Sequence, residues 1–186
     1  MTHAVLLPPY FAHGGGQRNR VISAIHDRLL STPVVPRRFD FSSVEEAAAQ
    51  ADAVAQIEAC DGPVVLIGYS FGAAVAAAIT HPAVVGWALI APALAVPQFV
   101  SPASPLRPPA QPAVAADHRP KLVVTAERDA WFGADVLDPL VAGWVNCEQQ
   151  TVPSADHFFA ATTDDVADRV VNWALAHTAS RATVRR

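Results

Sequence analysis

The sequence has 186 residues, the size of one globular domain, and is long enough to bury a sizeable core. Hydrophobic residues make up 52% of it and charged residues only 16%, which excludes a disordered chain. The formal net charge of −4 gives no reason to expect nucleic acid or an anionic membrane surface as a partner.

The cysteines and the apolar runs bear on the compartment. Cys60 and Cys147 match neither a zinc spacing nor a disulfide framework, so we expect a reduced, cytoplasmic chain, with a single disulfide as the alternative. The apolar run at the start of the sequence lacks the basic region of a signal peptide. We expect no membrane span in the longest uncharged tract, residues 82–106, because it is interrupted by Pro92, Pro97, Pro102 and Pro105.

Short apolar segments predict the strands. Four of them run without polar alternation, as strands covered on both faces do, and they occupy residues 4–9, 63–68, 84–92 and 121–126. Weaker strands are predicted at residues 33–41 and 147–153.

Helical spacing lies between these strands. Apolar residues recur every four positions at Val21, Ile25 and Leu29. A second helix is predicted to bury Val44, Ala48, Ala51 and Ala55, behind a capping box made by Ser43 and Glu46. A last helix is predicted to begin near Thr163, with Val166, Val170 and Ala174 on its apolar face.

Alternating strands and helices predict an α/β fold. We expect a three-layer α/β/α sandwich with a mostly parallel sheet of about six strands, in which ligands bind at the carboxyl ends of the strands. Residues 1–178 should form a single domain. The proline-rich residues 93–120 should form a short lid or a stiff connector, and the polar residues 179–186 a frayed tail.

The segment G-Y-S-F-G, residues 68–72, joins a buried strand to a helix rich in alanine. Such a connection forces a sharp turn that only small flanking residues allow, and it lifts the hydroxyl of Ser70 to the carboxyl edge of the sheet. The N–H of Phe71 then faces any oxyanion formed beside that hydroxyl. Serine at this position is therefore a candidate nucleophile, with an ordinary structural turn as the alternative.

A serine nucleophile needs a base, and the base needs an orienting acid. His157 lies in the loop after the last predicted strand, at the same edge as Ser70, while His13 and His118 are the other histidines that could approach. For the acid, Asp129 follows a buried strand by three residues. Glu127 and Asp135 are the alternatives to it.

The chain order Ser70, Asp129, His157 is the order used when this chemistry is built on an α/β sheet. With G-Y-S-F-G, "VVTAERDAWF" and "ADHFF", the sequence resembles the α/β-hydrolase superfamily, and among its members the small, single-domain, dienelactone-hydrolase-like enzymes. The resemblance implies Ser70 as nucleophile, Asp129 as acid and His157 as base. It also implies a reduced sheet without a large cap.

The resemblance also bears on the second oxyanion donor. In similar small hydrolases, the second donor lies directly after the strand that corresponds to residues 4–9 here, which implies the N–H of Tyr10. The alternative is the loop His13–Gly16, which is similar to an HGGG motif. Pro8 and Pro9 have no N–H to donate. Aromatic residues near the same edge are candidates for substrate contacts, above all Trp131, Phe11 and Phe99.

The expected function is hydrolysis of a carboxylic ester or thioester of a small to medium acyl substrate through an acyl-enzyme, without a metal or organic cofactor. The partner is then a small molecule, and the sequence does not indicate an oligomeric state. Two alternatives stay open. The same three residues serve acyl transfer, carbon–carbon bond hydrolysis or cyclisation in other proteins of this fold, and a non-catalytic binding protein could keep the fold.

Overall fold

A computed structural model of the protein describes residues 1–10, 15–95 and 112–179. Its strands are β1 (Thr2–Leu7), β2 (Val34–Arg38), β3 (Val64–Tyr69), β4 (Val84–Ile90), β5 (Lys121–Ala126) and β6 (Cys147–Val152). Its helices are α1 (Arg20–Leu29), α2 (Glu46–Glu58), α3 (Phe71–Ala77), α4 (Ala134–Val141) and α5 (Thr163–Ala179).

All six strands are parallel and form one sheet in the order β2-β1-β3-β4-β5-β6. The predicted fold class is confirmed. The register aligns the carboxyl ends of the central strands, since Leu7 pairs with Gly68, Tyr69 with Ile90 and Ile90 with Val124. The loops that follow these strands therefore emerge at one edge, which we call the carboxyl edge.

The core lies on both faces of the sheet. Ala4 and Leu6 of β1 belong to the cluster that includes α1 and α5, whereas Val5 and Leu7 belong to the cluster that includes α2, α3 and α4. A central strand must therefore be apolar on both faces, which explains why β1, β3, β4 and β5 are recognisable as unbroken apolar runs. The edge strands β2 and β6 each bury a single residue, and their sequence signals are weaker.

The predicted start and buried face of α2 were wrong. The helix begins at Glu46, Glu45 at its N-cap makes no side-chain hydrogen bond to the first turn, and the Ser43 hydroxyl instead accepts the N–H of Glu45. The buried residues are Ala49, Ala53 and Ile57. The fourfold spacing was correct, but a run of alanines fits several faces equally well, and packing against Val5, Leu66 and Phe71 selects the face that carries Ile57.

Some of the sequence predictions concern residues that the structure does not describe. Of the proline-rich segment 93–120, residues 96–111 lie outside the described residues, as do residues 180–186 of the tail. Cys60 and Cys147 are free thiols, both half-buried. Among the helices of the described ranges, none combines the length and the apolar character needed to cross a bilayer.

Candidate active site

Ser70 occupies a strained turn between β3 and α3. Its backbone has φ 52° and ψ −111°, in the half of conformational space that side chains with a Cβ rarely enter. Its N–H donates to the carbonyl of Ile90 at 2.8 Å, which ties the turn to β4. A Cβ on Gly72 would lie 2.3 Å from the carbonyl oxygen of Leu7, so only glycine lets α3 approach the sheet this closely.

His157 lies in the loop between β6 and α5, at the carboxyl edge. Its Nε2 is 3.2 Å from the hydroxyl oxygen of Ser70, and its Nδ1 is 2.7 Å from Oδ2 of Asp129. The three residues come from loops after three different strands, and each is buried, with 9% or less of its surface exposed. The structure thus brings Ser70, Asp129 and His157 into one hydrogen-bond chain.

Asp129 is held at both carboxylate oxygens. While Oδ2 accepts from His157, Oδ1 accepts the backbone N–H groups of Trp131 and Phe132, both at 2.9 Å. Burial alone would raise the pKa of this carboxyl, but the hydrogen bond and charge of His157 together with the two N–H groups outweigh burial and lower the pKa from its ordinary value.

The ionised Asp129 fixes the tautomer of the imidazole. A carboxylate can only accept, so Nδ1 of His157 must carry the proton that lies between them. Nε2 is then left with its lone pair directed at the hydroxyl of Ser70, as a group that removes a proton from serine requires.

A small pocket of about 30 Å³ opens above the hydroxyl of Ser70. Trp131 packs against His157 with ring centres 4.6 Å apart, and Phe158, which is 49% exposed, contacts both of these rings. The pocket is lined by Pro9, Tyr10, Asn19, Tyr69, Ser70, Trp131, His157 and Phe158. Most of these lining residues carry an aromatic ring, and Ser70 lies among them.

The remaining sequence predictions have mixed outcomes. Tyr10 lines the pocket of Ser70, and Phe71 is the first residue of α3, directly after Ser70 in the chain. Of the alternative loop, Gly15 and Gly16 line a separate cavity of about 380 Å³, together with Pro8, Pro9, Asp40, Phe41 and Ser42. Residues 11–14 lie outside the described residues, so nothing is assigned to Phe11 or His13, and the same holds for Phe99.

The competing acids and bases are placed elsewhere. Glu127 is exposed and accepts the backbone N–H of Ser154, and Asp135 is exposed in the first turn of α4. His118 lies before the amino end of β5, where its carbonyl accepts from Asn146, so it is at the opposite edge from Ser70. Within the described ranges, the His, Cys, Asp and Glu side chains form no group that could hold a metal ion.

Sequence reasoning missed four residues of this pocket, namely Pro9, Asn19, Tyr69 and Phe158. Phe158 directly follows His157, and that adjacency was a signal for it. Asn19 accepts the N–H of Val21 at the start of α1, so its N-cap position also placed it at the carboxyl edge. Tyr69 donates its hydroxyl to the backbone carbonyl of His157 at 2.6 Å, and a contact to backbone leaves no trace in a sequence.

Solved structures share this arrangement of elements at low sequence identity. An alpha-beta serine hydrolase homologue from Coxiella burnetii has a TM-score of 0.73 at 21% identity, covering 92% of this chain and 84% of that one. A serine hydrolase without lid from Xanthomonas campestris has a TM-score of 0.70 at 22% identity, covering 90% and 78%. Est1E from Butyrivibrio proteoclasticus, with ferulic acid bound, has a TM-score of 0.76 at 14% identity, covering 96% and 90%.

At these identities the structural neighbours establish the fold alone. A comparison with curated proteins found no match. The model of the alpha/beta hydrolase family, however, matches residues 2–186, which is nearly the whole sequence. With its parallel sheet and its serine at the turn after β3, the protein therefore belongs to the alpha/beta hydrolase family.

Proposed function

We infer that the protein is a serine hydrolase that cleaves a carboxylic ester or thioester of a small to medium acyl substrate through an acyl-enzyme. The observation that carries this inference is the unbroken chain from Ser70 Oγ through the His157 imidazole to the Asp129 carboxylate, with separations of 3.2 and 2.7 Å. A serine hydroxyl becomes a nucleophile at neutral pH only when such a base is in reach.

In the proposed reaction, the oxygen of Ser70 attacks the carbonyl carbon as Nε2 of His157 takes the hydroxyl proton. Asp129 stabilises the imidazolium that forms and keeps its Nδ1–H oriented. The imidazolium then gives its proton to the departing alcohol or thiol, and the acyl group remains on Ser70. A water molecule, deprotonated by the same nitrogen, releases the acid and restores the serine.

The tetrahedral intermediate carries an oxyanion, for which we assign the backbone N–H groups of Phe71 and Tyr10. Phe71 is adjacent to the nucleophile, and Tyr10 follows β1 and lines the same pocket. The rings of Tyr10 and Phe71 pack edge to face with their centres 6.3 Å apart, which joins the segment after β1 to the start of α3. Each such donor contributes about 3 kcal/mol to transition-state stabilisation in enzymes of this type.

The size of the two cavities supports a substrate of small or medium length. The space of about 30 Å³ at Ser70 accommodates a small group beside the reacting carbonyl, and the separate cavity of about 380 Å³, whose lining shares Pro9 with it, offers room for a larger one. The rings of Trp131 and Phe158 form an apolar wall beside His157. We assign the acyl group to this aromatic side, and the neighbour with bound ferulic acid shows that one protein of this fold accepts an aromatic acid.

The deciding experiment is covalent labelling with a fluorophosphonate, together with turnover of activated esters. The wild-type protein should be labelled once, and Ser70→Ala should lose both labelling and turnover. A panel of esters and thioesters of increasing length then defines the substrate, and Trp131→Ala should change that length preference. Labelling that persists in Ser70→Ala would refute the assignment, and a wild-type protein that is never labelled would favour a non-catalytic binding role.

A further inference from the structure

The loop that carries His157 is strained on both sides of the imidazole. Ser154 has φ 58° and Phe159 has φ 50°, so two residues with side chains occupy the left-handed region within six positions. A bulky residue such as phenylalanine is rare there, because its Cβ crowds the backbone. Such a conformation persists only when contacts from the rest of the fold impose it.

One side chain supplies contacts to the two important points of this loop. The hydroxyl of Tyr69 donates to the backbone carbonyl of His157 at 2.6 Å, and its ring packs edge to face on the fully buried ring of Phe159, with centres 6.0 Å apart. Tyr69 is itself only 2% exposed. Tyr69 therefore contacts the loop at two points: at His157, the proposed base, and at Phe159, the strained residue two positions later.

Tyr69 is also the residue directly before Ser70. It is the last residue of β3, where its backbone pairs with Ile90 of β4. The last side chain of the strand that leads into the nucleophile therefore contacts the loop that carries the base. One side chain and one hydrogen bond thus join the residue before Ser70 to the backbone of His157.

The chemistry of the hydroxyl suits a permanent donor. Burial, with the charges of Asp129 and Asp156 adding to it, raises the pKa of the Tyr69 phenol, so the proton stays on the oxygen at neutral pH. The imidazole itself is held at Nδ1 by Asp129 and packs against Trp131. The Tyr69 hydroxyl adds a different contact, since it holds the backbone from which the imidazole side chain projects.

Resting on the proposed function, we propose that Tyr69 is a positioning residue, whose hydroxyl holds the backbone of His157 so that Nε2 stays within reach of the Ser70 oxygen. It does not exchange a proton with the substrate. Its effect runs entirely through the imidazole, and this separates it from a residue that merely supports the fold.

The test is Tyr69→Phe, which keeps the ring on Phe159 and removes only the hydroxyl. We expect kcat for an activated ester to fall about tenfold to a hundredfold, because small misplacements of a reacting group have costs of this order, while KM stays within about twofold. Thr125→Val is the matched control, since Thr125 is a buried residue of β5 whose hydroxyl pairs with that of Thr151 at 3.0 Å. It should lower the melting temperature as Tyr69→Phe does, with kcat unchanged.

A second pair of variants isolates the route through the imidazole. In a His157→Ala background, where binding and the oxyanion donors leave a residual rate, Tyr69→Phe should cause no further loss. A crystal structure of Tyr69→Phe should show Nε2 of His157 farther than 3.2 Å from the Ser70 oxygen.

Each result decides the matter. Unchanged kcat in Tyr69→Phe, an equal fractional loss with and without His157, or an unmoved imidazole would overturn the proposal. Wild-type turnover that Ser70→Ala leaves intact would instead overturn the proposed function, and the positioning role would fall with it.

Discussion

Asp129 illustrates how a single carboxylate is fixed in position and in charge. Its side chain is fully buried, and three donors converge on two oxygens: the imidazole of His157 on one, and the N–H groups of Trp131 and Phe132 on the other. Buried charge is costly unless it is paired and hydrogen-bonded, and here both conditions are met. These contacts therefore predict how the amide of an Asp129→Asn variant would behave in the same place.

In Asp129→Asn, the amide oxygen should keep the two backbone N–H groups, which leaves the NH₂ group facing Nδ1 of His157. An NH₂ group can only donate, so Nδ1 must become the acceptor and the ring proton must move to Nε2. Nε2 can then no longer take the proton of Ser70. We expect kcat to fall by about 10³ to 10⁴, as when an orienting acid is converted to its amide in other hydrolases.

Steady-state kinetics on an activated ester measure this loss, and Glu127→Gln provides the control. Glu127 is close in sequence and was the competing acid, but it is exposed and contacts the backbone of Ser154 rather than the imidazole. Its variant should retain wild-type kcat. If Glu127→Gln lost as much activity as Asp129→Asn, the acid would be misassigned.

At the scale of elements, the turn after β3 depends on two glycines because three backbone segments meet there. A Cβ on Gly68 would lie 2.5 Å from the carbonyl oxygen of Gly72, and a Cβ on Gly72 would lie 2.3 Å from that of Leu7. The atoms in the way are backbone, which cannot rotate aside. The close approach of α3 to β1 and β3 thus holds Ser70 in its strained conformation.

Gly72→Ala should therefore destabilise the protein by about 1–3 kcal/mol or more, since overpacking against rigid backbone has a cost of this order. Gly143→Ala is the matched control. Gly143 lies after α4, its φ is outside the left-handed region, and a Cβ there meets no atom within 4 Å. That variant should be neutral or stabilise by up to about 1 kcal/mol, because alanine restricts the unfolded chain.

Urea denaturation followed by tryptophan fluorescence gives both free energies of unfolding. Equal stability of Gly72→Ala and Gly143→Ala would show that the turn has room that the structure does not give it. Reduced labelling of Ser70 in Gly72→Ala, measured where the variant is still folded, would report displacement of the Ser70 hydroxyl itself.

The same elements show what the sequence could predict. Strands buried on both faces are visible as apolar runs, and the rule that parallel strands end at one edge brings Ser70, Asp129 and His157 together, where the structure places them. The buried face of α2 was not predictable, because its many alanines give every face of the helix nearly the same hydrophobicity. Nor was Tyr69, since its partner is a backbone carbonyl 88 positions along the chain and any residue at 157 would offer one.

For the whole molecule, carboxylates at both edges of the sheet contribute to stability. Asp129 lies at the carboxyl edge, after β5. Asp117 lies at the opposite edge, before β5, where Arg119 holds both of its oxygens and is itself bound to the carbonyls of His81 and Val84. The side-chain hydrogen bond with Arg119 lowers the pKa of Asp117 to about 2. The two sites share no partner, so their contributions to stability should be additive.

These lowered pKa values fix the sign of the pH dependence. A carboxyl whose pKa is lower in the folded than in the unfolded state, where it is about 3.9, contributes stability that is fully present above that value and is lost as the pH falls through the folded value. The free energy of unfolding should thus fall steeply between about pH 4 and pH 2. Asp117→Asn should be less stable than the wild type at pH 7 and should show a shallower fall, and Asp129→Asn should behave likewise. Urea titrations at a series of pH values measure these slopes, and curves for both variants that run parallel to the wild-type curve would mean that neither carboxyl is stabilised by its partner in the folded state.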